Sequence, residues 1–330
     1  MSVDQILKSQ IFKIGSHKEF NFLALEIFKF QAEKNPVYKE YIGYLGIDPS
    51  GVDDICKIPF LPIRFFKTLK VFIGNGDPAI IFTSSGTTGA LTSSHMLTDT
   101  LLYEKSFLSG FRYFYGNPKD YYILALLPSY LEREGSSLVY MVSRLIKETQ
   151  SSESGFFLNN LEEFTSKFFF LKKRNDRKIM IWGVSYALLD LAEKYAPDLS
   201  GAILIETGGM KGKRKEIIRE ELHQILCKNF NLSNVHSEYG MTELLSQAYS
   251  KEQGVFYTPP WMKILIRDIY DPFRYMQDDR TGGINIIDLA NLYSCSFIET
   301  EDLGSKLDDG FKVLGRFDTS DIRGCNLMVD

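Results

Sequence analysis

Thr83-Ser84-Ser85-Gly86-Thr87-Thr88-Gly89 follows directly on the apolar run Ala79-Ile80-Ile81-Phe82. The run reads as a buried strand, and every residue after it carries a hydroxyl or no side chain at all. A loop of this kind can wrap an anion. Glycine lets the backbone come close to a ligand and adopt positive φ. Successive backbone N–H groups form a concave nest for phosphate oxygens. The hydroxyls of Ser84, Ser85, Thr87 and Thr88 add donors. An ordinary solvated Ser/Thr/Gly turn has the same composition, so the loop alone leaves both readings open.

The chain around it has 330 residues, 44% of them hydrophobic and only 11 of them prolines. That is the composition of a packed globular protein of one large or two moderate domains. A net charge of −4 carries no electrostatic footprint for nucleic acid. The 25 phenylalanines and 18 tyrosines predict an aromatic-rich core, and the same residues suit an apolar acyl pocket. Cys56, Cys227, Cys295 and Cys325 form no CxxC pair, and His17, His95, His223 and His236 do not cluster with them. A disulfide framework and a structural zinc site are not expected. The first residues include Asp4, Lys8 and Lys13 and no long apolar run, unlike a signal peptide. No apolar stretch is long enough to span a membrane. The expected location is the cytoplasm.

Three regions emerge along the chain. Residues 1–70 form a helical N-terminal segment and a Pro-containing connector. Its helical part runs to about Tyr44, with Phe20, Leu23, Ile27 and Phe28 among the apolar positions. In Ile58-Pro59-Phe60-Leu61-Pro62-Ile63 the two prolines exclude a central strand and predict an extended connector. Residues 71–250 alternate strand and helix. A helix opens at Thr98-Asp99-Thr100 and runs to about Tyr115, capped by Thr98 or Asp99. Strands are expected at Tyr121–Leu127, Lys178–Trp182 and Ala202–Glu206, and helices at Ser136–Lys147, Ser185–Tyr195 and Gly212–Asn229. This rhythm predicts an α/β fold with a largely parallel sheet covered by helices. Residues 251–330 read as a small β-rich unit, with strands at Ile264–Ile266, Gly283–Asp288, Ser296–Glu299 and Lys312–Leu314.

Two further turns follow predicted strands. One is Thr207-Gly208-Gly209-Met210. The other is Tyr239-Gly240-Met241-Thr242-Glu243. In the second, Tyr239 can stack on a base, Gly240 lets the backbone approach, Thr242 can bond phosphate and Glu243 can hold Mg²⁺. Ligands of open α/β sheets bind at the carboxyl ends of strands, where all three turns are expected. A P-loop is excluded. The opening loop has no lysine, and Gly208 to Arg214 has the wrong spacing with no hydroxyl after Lys213.

Thr83–Gly89 and Tyr239–Glu243 resemble the phosphate loop and nucleotide motif of the adenylate-forming acyl-CoA synthetase superfamily. Glu299-Thr300-Glu301-Asp302-Leu303-Gly304 resembles the segment whose aspartate, here Asp302, binds the ribose hydroxyls. Gly315-Arg316-Phe317-Asp318 resembles the following segment, whose arginine, Arg316, also contacts the ribose. The resemblance implies ATP and Mg²⁺ as cofactors. ATP/AMP contacts are implied for Ser84, Ser85, Gly86, Thr87, Thr88, Gly89, Gly208, Gly209, Tyr239, Gly240, Thr242, Asp302 and Arg316. Ile58 to Lys67 and the terminal Ile322-Arg323-Gly324-Cys325 are similar to the LuxE-type acyl-protein synthetases of the bacterial luciferase aldehyde-forming system. That family activates a fatty acid, holds the acyl group on a cysteine near its C-terminus and exchanges it with a reductase partner.

The sequence departs from the superfamily in two places. Gly89 is followed by Ala-Leu-Thr-Ser-Ser-His where the family usually has Pro-Lys, so His95 or Lys211 is a candidate to meet the phosphate charge. His95 also reads as a plain polar loop residue. The sequence ends at Asp330, where CoA ligases continue into a mobile domain that carries a catalytic lysine.

The implied chemistry is attack of a carboxylate on the α-phosphorus of ATP, with pyrophosphate leaving and an acyl-adenylate formed. Fixed donors and Mg²⁺ stabilise the developing charge, with Thr87, Thr242 and Glu243 expected to serve. A thiolate can then take the acyl group as a thioester. Cys325 is the candidate, with Arg323 to lower its pKa and Gly324 to ease approach. The other cysteines read as idle. A carboxylate–CoA or carboxylate–carrier ligase is the alternative enzyme. A non-catalytic nucleotide-binding platform for an acyl-CoA reductase-like protein is the alternative from another class.

Overall fold

A computed structural model describes residues 2–74, 76–84, 91–127, 135–157, 160–209, 214–215 and 217–317. In chain order these form helices α1 (Val3–Gln10), α2 (His17–Lys34) and α3 (Pro36–Tyr44), strand β1 (Leu61–Pro62), α4 (Phe65–Thr68), β2 (Ile80–Thr83) and β3 (Ser94–Leu97). Next come α5 (Thr100–Tyr115), β4 (Tyr121–Leu126), α6 (Ser137–Glu148), β5 (Gly155–Phe156), α7 (Leu161–Arg174), β6 (Lys178–Val184), α8 (Ser185–Lys194) and β7 (Ile203–Thr207). The last are α9 (Arg219–Phe230), β8 (His236–Tyr239), β9 (Ala248–Ser250), β10 (Val255–Phe256), β11 (Met262–Arg267), β12 (Thr281–Asp288), β13 (Phe297–Leu307) and β14 (Gly310–Arg316).

The expected α/β rhythm folds into one sheet of order β5-β4-β6-β7-β8-β9, parallel except for the last pair. Every residue of β4 is buried, which is why its sequence is a continuous apolar run rather than an alternation. Helices cover both faces. Phe111 and Tyr115 of α5 pack on Tyr121, His236 and Tyr249. On the other face Leu188 of α8 fills the space above Gly183, and Arg219 and His223 of α9 reach Glu206. Caps set the helix starts as the sequence implies. Asp99 accepts from the Leu102 N–H at 3.1 Å and Ser136 from the Val139 N–H at 3.3 Å.

A second sheet, of order β10-β14-β13-β12-β11, is antiparallel, and β1 joins it in parallel beside β13. The connector is thus extended as expected, and its prolines leave room for only a two-residue strand. Helix α2 packs on this sheet. Phe28 meets Phe297 edge-on, and the buried Gln31 amide donates to the Asn291 and Leu292 carbonyls at 2.9 and 3.0 Å. Gln31 Oε1 accepts from the Ser296 N–H at 2.9 Å.

Two expectations need correction. The Ala79–Phe82 run is not a buried strand. β2 pairs only with β3 in a two-stranded ribbon, Phe82 is buried and Ile81 is exposed, because such a ribbon packs one face and leaves the other open. The helix expected at Gly212–Asn229 starts at Arg219. Arg214 is drawn to Asp190 and Glu193 of α8 by ion pairs, and Ile218 has extended dihedrals, so a tertiary contact overrides the helical pattern. Helix α7 was not expected. Its signals are Asn160 as cap, Glu162 and Glu163 in the first turn, and Lys172, Lys173 and Arg174 in the last. Among the described residues no helix is long and apolar enough to cross a membrane.

Gln31→Leu removes the partners of two carbonyls and one N–H in the interior. It is expected to cost roughly 2–4 kcal/mol of stability in urea denaturation, at the upper end for a single side chain.

Candidate active site

The turn after β8 is held from below by a buried polar node. Asp288, at the end of β12, accepts from the Leu245 and Ser246 N–H groups at 3.0 and 2.8 Å, from the Ser246 hydroxyl at 2.6 Å and from the Ala290 N–H at 3.1 Å. Burial pushes its carboxyl up to about 6 in spite of these donors. Asn291 donates to the Glu243 carbonyl at 2.8 Å. His95 Nδ1 lies 2.8 Å from the Thr242 carbonyl and Nε2 lies 2.9 Å from Ser294 Oγ. A carbonyl only accepts, so Nδ1 carries the proton and Nε2 accepts from the serine. Burial holds this imidazole neutral, its pKa down to about 4.

His95 is therefore not a loop residue. It lies fully buried on β3 with both ring nitrogens engaged, and it offers no free donor to a phosphate. Its two bonds tie the ribbon that carries the Ser/Thr/Gly loop to the Tyr239–Glu243 turn.

The ribbon closes the base of that loop. Ser84 N–H donates to the Ser93 carbonyl at 3.0 Å, and Ser84 Oγ accepts from the Ser93 N–H at 2.9 Å. The Ser93 hydroxyl in turn bonds the buried Glu243 carboxyl. Burial pushes Glu243 up, opposed by Ser93 and by the charges of Arg316 and Lys67. Ser85, Gly86, Thr87, Thr88 and Gly89 lie outside the described residues, as do Lys211 and Cys325.

The remaining nucleotide candidates meet. The Tyr239 hydroxyl donates to Asp302 Oδ2 at 2.7 Å, and Arg316 Nε donates to Asp302 Oδ1 at 3.2 Å. Asp302 and Arg316 are register partners across β13 and β14. The Tyr239 ring packs edge-on against Phe256 and Phe311. Asp302 is nearly buried while the Arg316 side chain is 80% exposed, so one member of the set reaches outward. Gly208 sits at φ +67°, its carbonyl bonded by Ser185 Oγ at 2.8 Å, and Gly208, Gly209 and Gly240 expose backbone at the strand ends. A Cβ at position 240 would collide with the Glu238 carboxyl. Among the described residues no group of three or more His, Cys, Asp or Glu is arranged to hold a metal ion. Glu243 stands as a single carboxylate.

No protein-family model matches the chain, and no curated protein sequence does. Solved structures do. ATP-bound MatB from Rhodopseudomonas palustris is similar with a TM-score of 0.56 at 16% identity, over 74% of this chain and 49% of MatB. An open conformation of 2-hydroxyisobutyryl-CoA ligase in complex with 2-HIB-AMP and CoA is similar with a TM-score of 0.66 at 13% identity, over 93% of this chain and 72% of that one. The fold is that of the N-terminal part of AMP-forming acid–CoA ligases, with a strand-rich C-terminal region. The chain spans about half the length of MatB.

Three residues of this region were missed from sequence. Ser93 and Glu238 sit in no motif, and Lys67 ends the Ile58–Lys67 stretch without a role being expected of it. Lys67 lies 3.9 Å from Glu301. Glu238 precedes Tyr239 directly, and neighbouring strand residues face opposite ways. Cys295 is buried with its thiol pushed up to about 12, Cys227 is half-buried and Cys56 is exposed.

The neutral His95 makes the turn acid-sensitive. Its folded pKa of about 4 lies below the ordinary 6.5, so its contribution is full above pH ~6.5 and falls away as pH drops through ~4. His95→Gln is expected to lower the melting temperature at pH 7 and to flatten its fall between pH ~6.5 and ~4, read by thermal melts across that range.

Proposed function

We propose that this chain activates a carboxylic acid with ATP to an acyl-adenylate and passes the acyl group to Cys325. The single observation behind this is the hydrogen-bonded Tyr239–Asp302–Arg316 set beside the base of the Ser/Thr/Gly loop, on a fold shared with AMP-forming ligases. A carboxylate offers about four acceptor sites. Tyr239 and Arg316 take two, which leaves Asp302 able to receive the ribose hydroxyls. Tyr239 is fixed by Asp302 and by its two phenylalanine neighbours, so its ring would present a rigid face to the base. The loop closed by Ser84 and Ser93 would surround the phosphates with N–H and hydroxyl donors.

Glu243 fits Mg²⁺ by the chemistry of its donor, because that ion needs only one or two carboxylates when substrate phosphates complete its shell. When bound, it would neutralise charge on those phosphates. In the first step the acid's carboxylate oxygen forms a bond to the α-phosphorus as the bond to pyrophosphate breaks. In the second the Cys325 thiolate bonds the acyl carbon as AMP leaves. The thioester is suited to delivery to an acyl-CoA reductase-like partner, and the aromatic-rich interior suits a fatty acid. MatB and 2-hydroxyisobutyryl-CoA ligase are acid-activating relatives in fold, one with ATP and one with an acyl-AMP and CoA bound, which favours the adenylation step in particular.

A pyrophosphate-release screen across carboxylic acids is expected to find a substrate, and release with none would refute adenylation. Asp302→Asn is expected to raise the KM for ATP about 10- to 100-fold, the scale of a charge-assisted hydrogen bond. Glu243→Ala is expected to abolish Mg²⁺-dependent release. With labelled acid and ATP the wild type is expected to acquire an acid-stable, hydroxylamine-labile label and Cys325→Ser none; full labelling of that variant, or product found only as a CoA ester, removes the cysteine from the mechanism.

A further inference from the structure

Glu238 differs from the other buried and half-buried carboxylates, including Glu243, which feels the charges of Arg316 and Lys67. Asp302 has Arg316, Glu206 has Arg219, Glu299 has Arg267, and Asp288 has its donors from the 245–246 turn. Among the described residues Glu238 accepts only the Thr207 hydroxyl, and no lysine or arginine pairs with it. The protein encloses it on one face of the parallel sheet. Thr207 and Tyr249 are its register partners on β7 and β9, and Tyr103 and Tyr115 of α5 feel its charge. Glu238 is nonetheless only half-buried, and the glycines that follow these strands, Gly208, Gly209 and Gly240, are exposed. On the same face the Tyr249 hydroxyl and Trp182 Nε1 are buried without a partner among the described residues. Buried polar groups are ordinarily matched, and on this face the matching is incomplete; of the three groups only Glu238 has surface open to a ligand.

The crevice adjoins the reaction site. Phe82, next before the Ser/Thr/Gly loop, packs on Tyr103 at 5.4 Å between ring centroids. Tyr239, with its back to Glu238, serves the nucleotide side. The acid must approach the same junction from the side that the nucleotide does not occupy. We infer that the acyl portion of the acid lies in this crevice and carries a hydrogen-bond donor, an ammonium or a hydroxyl, which the Glu238 carboxylate receives. This rests on the adenylation reading and narrows its substrate from a plain alkyl acid to one with a polar substituent on an otherwise apolar chain.

Burial holds the Glu238 carboxyl up to about 7. The ionisable groups that face it are Tyr103, Tyr115 and Tyr249, with Glu206 adding like charge and His236 kept neutral one step along the strand. Binding of an ammonium is therefore expected to strengthen as pH rises through ~7, and binding of a hydroxyl to depend on pH far less.

The test compares hexanoic acid with its hydroxy and amino derivatives in wild type, Glu238→Gln and Glu238→Leu, by pyrophosphate release and, without ATP, by calorimetry of acid binding. The wild type is expected to favour one donor-bearing acid about 10- to 100-fold in kcat/KM over hexanoic acid. Glu238→Leu is expected to bring the ratio to one or below. Glu238→Gln keeps a hydroxyl preference and loses an ammonium preference, which tells the two donors apart. Equal use of all acids by the wild type, or a preference that survives in a folded Glu238→Leu, overturns the inference. Should no acid release pyrophosphate, adenylation is what fails, and calorimetry decides the crevice by itself: no tighter binding of any donor-bearing acid overturns it.

Discussion

Asp288 is the fixed point of this molecule. A carboxylate taken out of water is costly unless donors surround it, and here the donors come from the Leu245–Ser246 turn and from Ala290. The turn that continues β8 therefore cannot move without exposing a buried acid. Asn291, beside it, takes the Glu243 carbonyl, and Gln31 of α2 takes the carbonyl of Asn291 itself. His95 adds the Thr242 carbonyl from the ribbon. Elements from the N-terminal helices, the ribbon, the parallel sheet and the terminal sheet are thus gathered on one short turn, the turn in which Tyr239, Gly240, Thr242 and Glu243 stand.

On the proposed adenylation reading, that rigidity would have a use in catalysis. Donors fixed before a reaction stabilise developing charge without reorganising. The strand β8 also divides the site. Tyr239 and Glu238 are neighbours in sequence and look to opposite faces of the sheet, one to Asp302 and the phenylalanines, the other to Thr207 and the tyrosines of α5 and β9. On that same reading, the two substrates would occupy the two sides, and a single dipeptide would supply the partition. Gly240 lets the two sides come together, because a side chain there would have to displace the Glu238 carboxyl.

Much of the fold was legible along the chain. β4 announced itself as an uninterrupted apolar run, α5 by Asp99 as cap, α6 by the pattern of Ser136–Lys147, and the terminal strands by their spacing. The candidate site was legible where its residues fall in short motifs, as with Tyr239, Asp302 and Arg316. It was not legible for Ser93, Lys67 and Glu238, which acquire a role only through what lies across from them. Ser93 matters because the ribbon pairs it with Ser84 and its hydroxyl reaches Glu243. His95 looked like a polar loop residue because nothing near it in sequence reveals the carbonyl and the serine that bury it.

The sequence by itself determined the local order: which runs are strands, where helices are capped, and that three turns rich in glycine and hydroxyls follow strands. These are properties of neighbouring residues, set by side-chain period and by backbone preference. The tertiary structure decided how distant residues meet. A register shift at Leu303–Gly304, where only glycine clears the Lys312 carbonyl, sets Asp302 opposite Arg316. An ion pair to α8 holds Arg214 and α9 begins only at Arg219, burial makes His95 neutral, and among the described residues no cation reaches Glu238. Charge and hydrogen bonding act through space, so Thr83 and Ser84 gain their partners Gly135 and Ser93 only when the chain is folded.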